Sequence, residues 1–551
     1  MKPMPTRLHV ESLELRDTPA TFVVTTTADA GNGSLRDAIT RANSFPGDDT
    51  IAFAIPTTDA GFIDGNGNGK FDAGDYWSIS PASALPAMTG VVVVDGWSQT
   101  GPTDNNRPVI ELNGTNAGAA TDGLAITEQV GSRIRGLAIN RFTGNGITIT
   151  GGGQHRLLGN FIGTDVSGTQ ARPNVGTGVL ITGSQQNVIG GTIAKQRNLI
   201  SGNSVQGLHF TNSVGNQIVG NLIGTNLAGN TAIPNGLEID TGDGIRIEGG
   251  GFNVIGGSTT AERNVISGNF DDGMDIRDGS VGNVVKGNYV GIKLGGRSTL
   301  GNGDDGVSIR NSSFNLVGSI VTGEANVLSG NGYNGVFLYG DAHDNVIQGN
   351  FIGTNSKGDH LGNSTVVDFA DGIFLGQLDA PIGPSRNVID RNTIAFNLDS
   401  AISVDISDTA NTVGNTFTQN AIYGNAHIAI DFASKGTTTP NDPSDPDLGP
   451  NRLQNFPVLQ PSTANPDGTQ TVTGTLNSTP NSTFRIEFFA SGSAGSGKKF
   501  LGAVEVTTPA DGTSPQFQLR FAKQPPAMRF ITATATDLAT GDTSQFSVAV
   551  S

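Results

Sequence analysis

Cysteine is absent from all 551 residues. That excludes disulfides, thiolate metal sites and a cysteine nucleophile, so stability has to come from burial and backbone pairing. Charged residues make up only 15%, and Lys and Arg number 32 against 49 Asp and Glu. A net charge of −17 repels phosphate backbones, which argues against nucleic acid as a partner and favours cations or neutral ligands. No apolar run approaches the roughly 18 residues that cross a bilayer. The longest local candidate is Val91 to Val94, so a soluble chain with no membrane span is expected. The first twenty residues lack the apolar centre of an ordinary secretory signal. No Gly-x-Ser-x-Gly elbow, zinc-helix motif or phosphate loop is found.

Glycine is abundant instead, at 79 residues, and it recurs with a period. A Gly-apolar-x-apolar strand begins at Gly123, Gly146, Gly178, Gly207, Gly244, Gly273, Gly306, Gly335 and Gly372, with weaker copies at Ala401 and Ala429. From Gly178 to Ala401 the intervals are 29, 37, 29, 33, 29, 37 and 29, so every second unit carries a longer loop. A second strand follows Asn187, Asn216, Asn253, Asn283, Asn315 and Asn345; a third opens at Asn198, Asn221, Asn264, Asn288, Asn326 and Asn350. Strands this short cannot bury a face alone but can stack on copies of themselves. Three strands per unit make a coil, and about eleven coils at roughly 4.8 Å give a rod about 50 Å long. The recurrent asparagines are expected to stack, each amide donating to one coil and accepting from the next. Loops Gly163 to Asn174, Gly224 to Asn235, Gly291 to Asn302 and Gly353 to Asn363 should share one edge of the rod.

The motifs Asn187-Val188-Ile189-Gly190-Gly191, Asn253-Val254-Ile255-Gly256-Gly257, Asn264-Val265-Ile266-Ser267-Gly268-Asn269 and Gly349-Asn350-Phe351-Ile352-Gly353-Thr354-Asn355 resemble those of bacterial surface proteins in the pectate-lyase-like superfamily. The resemblance covers roughly 120 to 433 and implies a right-handed parallel β-helix. That superfamily holds lyases, hydrolases, adhesins and proteins without a known reaction, so the resemblance implies no activity. The run Gly33 to Asn43 resembles the CSLREA-type segment that precedes many bacterial β-helices, with Gly33 in place of the cysteine and Asp37 in place of the glutamate. Its residues read as a short helix with Leu35, Ala38, Ile39 and Ala42 on one face, covering the open first coil.

After 433 the pattern breaks into a Pro- and Asp-rich stretch, then into β-rich runs at about ten-residue spacing that resemble an Ig-like sandwich. The expected organisation is an export- or sorting-like segment at 1–20 and a cap with the first coils at 21–120. Repeats at 121–433, a linker at 434–456 and the sandwich at 457–551 follow. The fold class is all-β.

Two constellations carry chemistry. Between Asp64 and Asp75, oxygen side chains fall at positions 1, 3, 5, 9 and 12 with glycine at 6, the pattern of EF-hand and dockerin-like calcium loops. Asp64, Asn66, Asn68 and Asp72 would ligate Ca2+ by side chain and Lys70 by its carbonyl, with Asp75 in place of the usual glutamate. The other lies on the Gly-apolar strands. Asp243, Asp272, Asp305, Asn334 and Asp371 precede the glycine in five successive coils, and Arg246, Asp275, Arg277, Arg310, Phe337, Tyr339 and Phe374 occupy outward positions nearby. Stacked carboxylates either rise in pKa or recruit a cation. Phe337, Tyr339 and Phe374 would stack on sugar rings while Arg277 and Arg310 contact carboxylates. Alternatively, aspartates before glycine only shape turns and the arginines neutralise them.

Gly303-Asp304-Asp305 resembles one carboxylate pair of polygalacturonases, but their Gly-His-Gly and Arg-Ile-Lys companions are missing. A calcium-assisted polysaccharide lyase would draw on Asp272, Asp305 and an Arg277 or Arg310 base. The expected function is a secreted or cell-surface β-helix that binds extracellular polysaccharide or an envelope component. A lyase on the same scaffold and a purely structural adhesin or surface-layer rod are the alternatives.

Overall fold

The computed structural model describes residues 19–99, 106–127, 130–364, 370–376, 382–404, 412–432 and 436–551. Most of the expected export segment therefore lies outside the described residues. The chain forms a right-handed parallel β-helix of three long sheets, two of 13 strands and one of 11. Sheet one starts at Thr21–Val24 and ends at Thr416–Thr418; sheet two runs from Phe62–Ile63 to Ala421–Tyr423. Sheet three contains the Gly-apolar strands, from Leu124–Thr127 to Ile430–Phe432. Its eleven strands are those that the glycine period marks.

The inward positions explain the strands. In sheet one Ile134, Leu157, Ile189, Ile218, Ile255, Val285, Val317, Ile347 and Ile389 align in register, all fully buried. Each such side chain contributes about 1.5–3 kcal/mol of burial. Glycine opens the sheet-three strands because consecutive coils approach closely there. A Cβ on Gly273 would sit 2.6 Å from the Gly306 carbonyl oxygen, and one on Gly306 equally close to that of Gly335.

The asparagines stack as expected. Asn187 Nδ2 donates to Asn216 Oδ1 at 2.8 Å, Asn216 to Asn253 at 2.8 Å and Asn253 to Asn283 at 2.9 Å. The second column runs Asn198, Asn221, Asn264, Asn288, Asn326, Asn350 at 2.9–3.1 Å. A third column, Asn174, Asn203, Asn235, Asn269, Asn302, Asn331, Asn363, Asn397, was only half visible as the loop ends. In the first two columns each amide oxygen also accepts a backbone N–H from its neighbour, as Asn264 does from Asn221 at 2.9 Å. A buried amide without such partners costs about 1–3 kcal/mol, so the columns hold the turns in register.

Both ends of the rod are covered. Helix Leu35–Ala42, capped by Ser34, buries Leu35, Ala38, Ile39 and Ala42 against the first coils. At the other end stand two three-stranded antiparallel sheets sharing one apolar cluster that includes Val472, Phe484, Phe488 and Phe517. Ser544 to Val550 forms no regular strand; it runs beside Ile531 to Ala535 through one bridge, Val550 to Ile531, and through the Ser544 and Ser547 N–H groups, which donate to the Ala535 and Ala533 carbonyls. From this unit Phe489 and Phe546 enter the core of the rod. Glu487 accepts hydrogen bonds from Thr418 Oγ1 at 2.8 Å and the Gln419 N–H at 2.9 Å in the last coil. Within 436–456, Asn451 extends the first asparagine column by accepting the Asn415 N–H and donates to the Thr543 carbonyl. No helix among the described residues is long and apolar enough to cross a membrane.

Candidate functional site

Outward positions of sheet three form two columns along the rod. One reads His209, Arg246, Asp275, Ser308, Phe337, Phe374; the other reads Thr211, Glu248, Arg277, Arg310, Tyr339, Gly376. Beside them runs the turn between the third asparagine column and the glycine, written Asn-x-Asp-Asp-Gly at 269–273 and 302–306.

From Asp272 onward the residue before the glycine does structural work. Asp272 Oδ1 accepts the Asp305 N–H at 2.9 Å, Asp305 accepts the Asn334 N–H at 2.8 Å, and Asn334 accepts that of Asp371 at 3.0 Å. The turn-shaping role of these aspartates is therefore real, yet it engages only one oxygen of each. The other oxygen of Asp272, and the carboxylate of Asp243, face a cluster of guanidiniums. Arg246 lies 2.7 Å from Asp243 and 3.5 Å from Asp275; Arg277 lies 3.1 Å from Asp275 and 3.4 Å from Asp278. Arg310 reaches Asp240 at 3.1 Å, Asp272 at 3.3 Å and Asp275 at 3.7 Å.

Charge does not balance. Asp240, Asp243, Asp271, Asp272, Asp275, Asp278, Asp304 and Asp305 face three arginines, and Asp243, Asp272 and Asp275 are buried. Burial, reinforced by Asp275, pushes Asp243 up to about 8, although the Arg246 contact favours its ionised form. Arg246 is shared with Asp275, and its pull is the weaker of these influences. Burial and then Asp304 bring Asp305 to about 8; burial and then Asp271 bring Asp304 to about 6. Asp272 is raised well above the ordinary carboxylate range by burial and Asp305, and Asp271 and Asp275 are raised chiefly by burial. Burial opposes the charge on Arg310, but Asp275, Asp272, Asp240 and Asp305 outweigh it and raise its pKa. Oxygens of Asp243, Asp272 and Asp275 lie within 4.8 Å of one another, as do those of Asp271, Asp272 and Asp304. Either acidic group could hold a metal ion.

Sequence reasoning passed over Asp240 and Asp271. Asp271 sits two residues before the glycine, a position aspartate repeats at Asp304, so the doubled Asp-Asp-Gly was the available signal. Asp240 had none, because it belongs to an insertion between Asn235 and Gly244 that arches over the cluster. There its N–H donates to Asp271 Oδ2 at 2.6 Å.

The aromatics adjoin this cluster but differ from the exposed rings expected. Phe337 is only 8% exposed, stacked on Phe374 at 5.6 Å with a 14° interplanar angle and 5.8 Å from Tyr339. Adjacent coils bring ring faces together, which covers them; Tyr339 and Phe374 remain half-buried.

The loop from Asp64 to Asp75 is far away, at the tip of an antiparallel pair, Phe62–Ile63 with Tyr76–Ile79, on sheet two. Asp64 accepts N–H groups of Asn66, Gly67 and Gly69, and Asp75 accepts those of Gly65 and Asp72. Asn66 and Asn68 donate to Asp72 Oδ2, and the Lys70 N–H donates to Asn68. The loop thus turns around its own oxygens.

The fold and this face define an end-capped parallel β-helix with a buried acid–arginine cluster on one sheet. No family model and no curated protein sequence matches the chain. Among solved structures it is similar to the A-module of the Azotobacter vinelandii mannuronan C-5 epimerase AlgE6, at 15% identity over 76% of this chain and 100% of that one, with a TM-score of 0.36. The periplasmic alginate epimerase AlgG is similar at 13% identity over 69% and 76%, TM-score 0.36. The catalytic unit of the GH87 α-1,3-glucanase of Streptomyces thermodiastaticus is similar at 10% over 76% and 66%, TM-score 0.35.

Proposed function

We propose that the outward face of sheet three binds an extended polysaccharide outside the cell or at its surface. The observation that carries this reading is the continuity of the two columns, which join a hydrogen-bonding acid–arginine stretch to the Phe337, Tyr339 and Phe374 rings along one axis. Rungs about 4.8 Å apart are commensurate with a chain that lies lengthwise. The excess of carboxyls selects against polyuronates and favours neutral glycans, whose hydroxyls meet the more exposed Asp240, Asp278 and Asp304 above the buried Asp272, Asp275 and Asp305. Arg277 and Arg310 then hold the carboxyls in place, rather than contacting a ligand carboxylate. A guanidinium whose pKa is raised by its neighbours is also a poor base, which weakens the lyase alternative.

A second reading is favoured by one observation: Asp271 and Asp304 oxygens lie within 4.8 Å of each other, with Asp304 near 6. A proton-holding carboxyl beside a second carboxyl matches the pair that retaining glycoside hydrolysis uses: Asp304 would protonate the leaving oxygen as the Asp271 carboxylate attacks the anomeric carbon, and water, deprotonated by Asp304, would then release the sugar from Asp271. We also assign the Asp64 to Asp75 loop to Ca2+, supported by its ligand spacing. A glycan array of neutral and uronate chains, run with and without calcium, tests the binding reading. Neutral hits are expected; no hits, or uronate hits alone, would overturn it. Release of reducing ends from a hit, abolished in Asp304→Asn with binding retained, separates hydrolysis from binding.

A further inference from the structure

The four long loops do not project freely. They fold over the outward face of sheet two and bond to one another, the Leu227 N–H to Gly168 O and the Leu294 N–H to Gly229 O, both at 2.9 Å. Beneath them Phe161, Leu199 and Leu222 follow in register on consecutive coils. Between the first two loops this face keeps a cavity of about 590 Å³, lined by Ser167 and Asn226 and by two arginines, Arg107 and Arg197. The volume lies within the range of small-molecule sites, about 300–1,000 Å³.

Arg197 is the unusual member. Its Nε is buried without a hydrogen-bond partner, and the guanidinium makes no ion pair among the described residues. Burial alone acts on it, lowering its pKa, so no carboxylate compensates its charge. The repeat supplies an internal comparison. Two coils on, Arg263 also precedes an asparagine of the second column, yet its Nε donates to Gly287 O at 3.0 Å and its guanidinium covers the Tyr289 ring at 4.0 Å. Tyr289 pairs with Val265 as Leu222 pairs with Leu199. Leucine at 222 thus opens the space that tyrosine fills in the later repeat, and leaves the cation facing it. The acidic group of the first loop, Asp165, is engaged by Ser167 and by the N–H groups of Thr169 and Gln170.

We propose that this cavity binds an organic carboxylate, its anionic group on Arg197 and its apolar part on Phe161, Leu199 and Leu222. A desolvated guanidinium is favoured by an anion that it can meet through two N–H donors, and the apolar floor adds burial. This site is independent of the sheet-three face.

Saturation-transfer NMR on the full chain with hexanoate, and with hexanol as a neutral control of matched length, tests it. Hexanoate should bind saturably at least tenfold more tightly than hexanol. Arg197→Gln should remove that preference, and Leu222→Tyr, which copies the later repeat, should fill the cavity and abolish binding, with both variants melting cooperatively near the parent. Equal titration of hexanoate and hexanol in the parent, or hexanoate binding unchanged in either variant, would overturn the proposal.

Discussion

Arg310 Nη2 lies 3.3 Å from Asp272 Oδ2, while the other oxygen of Asp272 holds the Asp305 N–H of the next coil. One carboxylate therefore joins a turn to a charge network, and its protonation affects both. Asp243 and Asp305, near 8, and Asp304, near 6, bind more protons folded than unfolded, where their value is 3.8. Their contribution to stability is complete below about pH 4 and is lost as pH rises toward about 8. The urea midpoint of the parent should fall between pH 5 and 8.5 in the absence of divalent cations. Arg310→Ala should cost about 3–5 kcal/mol at pH 8, where it strands buried charge, and clearly less at pH 5. An equal cost at both values would contradict this account.

The stacked pair Phe337 and Phe374 separates binding from packing. Phe337→Ala removes a buried ring and should cost about 2–4 kcal/mol of stability in denaturant titrations. Phe374→Ala removes a half-buried ring, with a cost of about 1 kcal/mol, and should weaken glycan affinity by about 1–2 kcal/mol in calorimetric titration. Unchanged affinity in the folded Phe374→Ala protein would remove the aromatic end of the proposed groove.

The coil architecture was legible because each coil repeats the same physical problem. Gly273 and Gly306 recur where no Cβ fits, and Asn253 and Asn264 recur where an amide must bridge coils. Period alone marks such positions. The acid–arginine cluster was legible as a row, since Asp243, Asp272 and Asp305 share one offset from glycine. Its depth was not, because burial depends on the non-repeating insertion that carries Asp240 and on how Arg246, Arg277 and Arg310 fold back over the sheet. The exposure of Phe337 was misjudged for a related reason. Outward direction on a strand says nothing of whether the next coil places another ring on top of it.

Calcium should act through the Asp64 to Asp75 loop in a way that two variants distinguish. Asp64 caps three backbone N–H groups, so Asp64→Ala should lower the melting temperature with or without calcium. Asp72 receives only the Asn66 and Asn68 side-chain amides at its Oδ2. Asp72→Ala should therefore leave the calcium-free melting curve close to the parent while removing the upward shift produced by millimolar calcium. If the parent itself shows no shift, and calorimetry detects no binding heat lost in Asp72→Ala, the assignment fails.

The C-terminal unit should prove inseparable from the rod. The last coil offers an open parallel edge, which would template pairing with other chains if it stood exposed. Here Glu487 takes the Gln419 N–H, Asp542 takes the Gly414 N–H at 2.5 Å and Thr543 Oγ1 takes the Phe417 N–H at 3.0 Å. Phe489 and Phe546 continue the apolar column that Phe417, Ile422 and Phe432 would otherwise end. Stopping the chain after residue 456 uncovers all of this together: several backbone donors lose their acceptors, at about 1–3 kcal/mol for each that stays buried, and large side chains lose their cover. The truncated rod should elute as soluble aggregate or bind a hydrophobic dye, whereas the full chain elutes as a discrete species. Glu487→Gln is the milder control. It keeps the acceptor for Gln419 but loses the charge beside Arg485, 2.8 Å away, so the full-length variant should stay discrete with a lower melting temperature. A truncated rod that remains discrete, with the parent's melting temperature, would show that the two units are joined only by sequence.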